Sequence, residues 1–247
     1  MTAIRLSTEE FDVLWSTQRL GRLPYPLDVP SVGATAAERA KITERVRDGL
    51  AERGLWTGRG PDGLLIDLFT VLAAPRYAVD AVGHLPTDSP ALGPGGPFRA
   101  LGAVRDGAGA LAVVHADDTV TLRELRHAQL PRAVVDLLPA GQPGPGHAVS
   151  VAVAELTGED SGPGSGVLES GVPNPDYAVL GELAESRVAG GQFGVSAGRS
   201  RAHPVVCWFD TAAGRYLVIL DDHWLSLAPS DNERITQRLD TILATAP

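Results

Sequence analysis

Twice along its 247 residues this chain trades helical spacing of apolar residues for a block of short alternating runs, and few folds accommodate that order. The first helix opens at Ser7, three residues before Glu10, a spacing that lets each side chain satisfy a backbone amide of the other. Leu6 and Phe11 then stand at hydrophobic-staple positions, and Phe11, Leu14 and Trp15 share one helical face. Residues 21–32 cannot continue the helix, because Pro24 and Pro26 lack amide hydrogens and push their predecessors to extended geometry; the segment reads as a connector anchored by Tyr25. Thr35 and Glu38 start a second helix with Ile42, Val46 and Leu50 on one stripe and Gly54 as its stop. A third carries Leu64, Leu65, Leu68, Phe69 and Leu72, and Pro75 ends it.

From residue 76 the period becomes that of strands: 76–82, 99–104, 110–115 and 119–125, an antiparallel meander whose last hairpin turns at Asp117-Asp118. The Pro- and Gly-rich stretch 84–97 is too long for a tight turn and reads as a mobile connector. A helix with Leu130, Val134, Leu137 and Leu138 follows. The second block repeats the order: a strand at 149–156, a disordered loop at 157–175, a helix with Val179, Leu183 and Ala184, and strands at 191–197, 202–209, 215–220 and 223–227. A last helix, capped by Ser230 with Glu233, carries Ile235, Leu239, Ile242 and Leu243. The expected architecture is a single α+β domain over 1–247, with pseudo-symmetric halves at about 1–140 and 148–247 whose meanders meet in a central sheet flanked by two helical bundles. Residues 205–209 and 216–220 are apolar at nearly every position, which demands cover on both faces of the sheet centre, from this chain's helices or from a partner.

Chemistry is sparse. Acidic residues outnumber basic ones 30 to 21 and Lys41 is the only lysine, so nucleic acid and anionic membrane are poor partners. No run of about 18 apolar residues occurs, and charges interrupt residues 1–10 where a signal peptide would be apolar, so a cytoplasmic protein with no membrane insertion is expected. Cys207 is the sole cysteine; set among Val205, Val206, Trp208 and Phe209, it reads as an inert buried thiol in a strand. No histidine pair has the spacing of a zinc-binding helix, no Gly-Lys pair supports a phosphate loop, and Asp117-Asp118 and Asp221-Asp222 suit turns, so no metal or cofactor is expected. One enzyme pattern does match. Gly194-Val195-Ser196-Ala197-Gly198 has the spacing of a nucleophile elbow, with Asp210, Asp221 and His223 following in hydrolase order, which makes a serine hydrolase the alternative reading. That elbow requires a helix after the serine, whereas 199–204 leads into another strand. A small-molecule-binding module would need an enclosed pocket, against which the bulky residues of the second meander argue.

The run LSTEEFDVLWSTQRLGRLPYPL, residues 6–27, resembles the N-terminal signature of EspG-family proteins. Gly191-Gln192-Phe193-Gly194-Val195, Trp208-Phe209-Asp210-Thr211 and Gly214-Arg215-Tyr216 are similar to later segments of that family, and the order of elements matches over essentially the whole chain. The resemblance implies a quasi-twofold fold and a non-enzymatic cytosolic chaperone of a type VII (ESX) secretion system, monomeric or weakly dimeric. Its partner would be a PE/PPE-type heterodimer, held by the apolar helical tip of the PPE-type protein; the long 157–175 loop and the preference for arginine suggest a substrate that is only PPE-like. Gln192, Phe193, Val195 and Arg99 are the expected contact residues, with Phe193 as aromatic anchor, although Phe193 and Val195 suit packing against Trp208 or Trp224 equally well.

Overall fold

Both capping boxes form where the Ser/Thr and Glu spacing puts them. In helix α1 (Thr8–Thr17), Ser7 Oγ accepts from the Glu10 amide at 3.1 Å while Glu10 Oε2 accepts from the Ser7 amide at 2.8 Å. Helix α2 (Ala36–Glu52) repeats the exchange between Thr35 and Glu38, and Gly54, at φ +71°, closes its end. Thr35→Ala should therefore cost about 1 kcal/mol, visible as a drop of a few degrees in the melting temperature. Helix α3 is Gly63–Ala73. The computed structural model describes residues 3–153, 175–221 and 223–246; apart from Pro175, the 157–175 loop lies outside them.

One antiparallel sheet organises these residues. Its strands are β1 (Ile4–Ser7), β4 (Tyr77–Leu85), β5 (Gly96–Arg105), β6 (Ala108–Val114), β7 (Thr119–Glu124), β8 (Val149–Ala152), β9 (Ala189–Ala197), β11 (Val205–Thr211), β12 (Gly214–Leu220) and β13 (Trp224–Pro229). A short β10 (Ser200–Arg201) folds back on β9, and β2 (Trp56–Thr57) with β3 (Gly60–Pro61) makes a separate hairpin. The spatial order is β1-β7-β6-β5-β4-β9-β11-β12-β13-β8. Reading outward from the central β4–β9 pair, each side runs through one meander and ends on a strand that precedes its meander in the chain. The fold is α+β, as the alternation of periods implied.

The two faces differ in cover. On one, the cross-strand row Val113–Ala100–Ala81–Phe193–Val206 is sealed by α4 (Leu130–Val135) and α6 (Asn232–Thr245), whose Leu130, Val134, Ile235, Leu239 and Ile242 join the same core. On the other, α1, α2 and α3 cover the first meander through Phe11, Trp15, Leu50, Leu65 and Phe69. Over the second meander that face receives α5 (Pro175–Glu185), where Leu180 and Leu183 rest on Phe209, Tyr216 and Leu227.

Three local expectations change. The last helix is capped by Asp231, whose side chain accepts from the Arg234 amide, while Ser230 is buried just before it. Strand β1 was absent from the sequence reading; only its pairing with β7, Leu6 opposite Val120, extends its four residues. The 84–97 connector is shorter and more tied down than expected, since β4 runs to Leu85 and β5 begins at Gly96. Within it Ser89 and Gly93 exchange backbone hydrogen bonds, Leu92 is buried, and His115 Nδ1 donates to the Leu92 carbonyl at 2.8 Å.

Candidate functional site

Strand pairing lays down one row of side chains across the less covered face: Arg99, Val82, Gln192, Cys207, Val218 and Leu227. At its centre Val82, Gln192, Cys207 and Val218 are only half buried, because α1 to α3 stop on one side and α5 stands on the other. The result is a groove of ≈740 Å³, floored by Val82, Gln192, Cys207, Val218 and Leu227 with Leu225 and walled by Leu180, Ala184 and Arg187. Its lining is apolar apart from His84, Arg187, Gln192 and the Cys207 thiol, whose pKa burial pushes up and which is half buried rather than enclosed as the sequence suggested.

The four expected contact residues divide between the two faces. Gln192 lies in the groove, and Arg99 extends the same row beyond Val82, with its guanidinium 3.6 Å from Asp28. Phe193 and Val195 are 0% and 1% exposed on the opposite face, packed with Val206 and Trp208, so neither has surface to offer a partner. The reason is elementary: successive residues of a strand point to opposite faces, and Gln192 and Phe193 are neighbours. The groove residues that sequence reasoning missed are Val82, Val218 and Leu225. Val218 was signalled by the unbroken apolar run 216–220, which required cover that the described helices do not complete.

At the junction of the meanders, Asp80 is 3% exposed and receives both terminal nitrogens of Arg201, at 2.8 and 3.1 Å. Burial raises its pKa, and the Arg201 hydrogen bonds oppose that rise. Arg201 reaches Asp80 by crossing Gly194, where an added Cβ would lie 1.8 Å from a guanidinium nitrogen. The Tyr25 ring covers the outer side of Arg201, its centroid 5.4 Å away, and Gln192 Nε2 donates to the Tyr25 hydroxyl at 3.4 Å.

This arrangement accounts for the elbow-like spacing. Gly194 makes room for the ion pair, and Gly198, at φ +56°, turns β9 into β10. Ser196 sits inside β9, paired with Ala78 and Arg201, and β10 rather than a helix follows it. Among the described residues no hydrogen bond joins Ser196 to a histidine or an acid. Asp221 serves a turn, its carboxylate accepting from the His223 and Trp224 amides, which hold its pKa below the usual range. No group of three or more potential metal ligands occurs among the described residues.

A profile of the EspG family matches residues 7–241. The chain belongs to the EspG family. No curated protein sequence matches it. Among solved structures, the Mycobacterium tuberculosis type VII secretion system chaperone EspG5, determined in complex with the PE25-PPE41 dimer, superposes with a TM-score of 0.71 at 18% identity, covering 100% of this chain and 97% of that one. So low an identity carries the fold alone, and it places this EspG-family chain on the same α+β architecture. Among its described residues no helix is long and apolar enough to cross a membrane.

Proposed function

We propose that this EspG-family chain is a cytosolic chaperone that binds a PE/PPE-type heterodimer of a type VII secretion system, keeps it soluble and directs it for export. The apolar helical tip of the PPE-type subunit occupies the groove between α5 and the central strands. The carrying observation is the half-buried strip Val82, Cys207 and Val218, with Leu225 beside it, left open on one face of the sheet where α4 and α6 cover the other face at Ala81, Phe193 and Val206. Such a strip excludes water from a helical ligand, and its polar rim fixes orientation. Gln192 and Arg99 remain contact residues in this reading, the work is sequestration without turnover, and residues 1–247 act as one unit, a monomer or weak dimer, with halves at about 1–140 and 148–247.

The test is co-expression with PE/PPE-like gene pairs, size exclusion, and titration of the pair that co-elutes. Val218→Asp should weaken binding at least about thirtyfold, since it buries an unpaired carboxylate under the ligand, while leaving the melting temperature close to that of the parent. Failure of every candidate pair to co-elute, or normal binding by Val218→Asp, overturns the reading.

A further inference from the structure

Among the described residues Tyr25 is the most exposed of the large aromatic side chains, at 57% against 52% for Trp224, and it is held by more contacts than an idle surface ring needs. The turn that presents it is closed by the Leu27 amide donating to the Pro24 carbonyl at 2.9 Å. Pro26 and Leu27 are buried, so this turn points Tyr25 outward by anchoring its neighbours inward. Beneath the ring lies Arg201, and beneath Arg201 the buried Asp80, a stack running from the sheet interior to the surface. At the ring's edge the hydroxyl meets Gln192, which lines the groove.

Resting on the groove reading above, we infer that Tyr25 is the aromatic anchor of the partner interface, the role that the sequence assigned to Phe193. The docking surface then extends from the groove over Gln192 onto the 24–28 turn, so the occupant is a helical tip wide enough to touch both. Three physical points support this. Tyrosine supplies large contact area at small entropic cost, and most of all when the ring is already fixed in the free protein, as Arg201 and Gln192 fix this one. An exposed aromatic ring next to an apolar groove enlarges one continuous patch rather than making a second. Leu27, not Tyr25, secures the turn to the core, so the exposed ring is surplus to folding.

The experiment uses the full chain and the PE/PPE-type heterodimer that co-elutes with it, with affinities from calorimetric titration and stability from thermal melts. Tyr25→Ala should weaken binding about tenfold or more and shift the melting temperature by less than about 2 °C. Tyr25→Phe, which keeps the ring over Arg201, should stay within about threefold of the parent. Parental affinity in Tyr25→Ala, with Val218→Asp still defective, overturns the anchor and leaves the groove standing. Parental affinity in both variants overturns the groove reading itself. A large loss of melting temperature in Tyr25→Ala also overturns the inference, because the ring would then serve the fold.

Discussion

Phe193→Ala should lower the melting temperature by roughly 10 °C and leave partner affinity unchanged at temperatures where the variant is folded. Phe193 has no exposed surface and lies between Ala81 and Val206 in the row that α4 and α6 seal. Truncating a buried phenylalanine costs about 3–5 kcal/mol through lost transfer energy and the remaining cavity, and a chain of this length loses roughly 2–4 °C per kcal/mol. The neighbouring Ala81 is too small to fill the space. Thermal unfolding followed by circular dichroism reads the shift, and titration below the transition reads affinity. A shift under about 2 °C, or a binding defect in folded protein, would put the ring on the surface and reverse the assignment of the two faces.

That assignment marks how far the sequence reaches. Helix starts were legible because a cap is a local contract between residues three apart, as Ser7 with Glu10 and Thr35 with Glu38 honour it. Asp231 displaced Ser230 for a reason that is not local: Ser230 is buried, and its amide bonds to the Arg215 carbonyl on β12. The strand blocks, β8 among them, were legible from period, but β1, with four residues, exists only through its partner β7. Faces were legible in principle, since Gln192 and Phe193 must point apart. Which face lay open was not, because that depends on where α1 to α3 end and α5 begins above the sheet. Likewise the Gly194 and Gly198 spacing was visible as a motif, whereas its cause, an arginine crossing to Asp80 and a turn into β10, required the fold.

The Asp80–Arg201 pair should respond asymmetrically to removal of either member. Arg201→Met strips from a carboxylate that is 3% exposed its one charged partner among the described residues, and breaking a buried pair in this way costs about 3–5 kcal/mol at neutral pH. Asp80→Asn leaves behind an arginine whose side chain is 34% exposed and able to hydrate, and the new amide oxygen still accepts a hydrogen bond, so its cost should be about 1 kcal/mol. Acid then separates the two variants further. Burial already raises the Asp80 pKa, and loss of the opposing Arg201 hydrogen bonds raises it more. A carboxyl whose folded pKa exceeds its unfolded one holds extra protons in the folded state, so its contribution to stability is lost as pH rises through that interval and recovered as pH falls. The deficit of Arg201→Met relative to its parent should therefore shrink between pH 7 and about pH 5, while that of Asp80→Asn, which has no proton to gain, should not shrink. Urea midpoints for both variants at the two pH values decide it. Equal costs for the two substitutions, or an Arg201→Met deficit indifferent to pH, would mean that the Asp80 carboxylate is solvated and that no buried charge joins the two meanders.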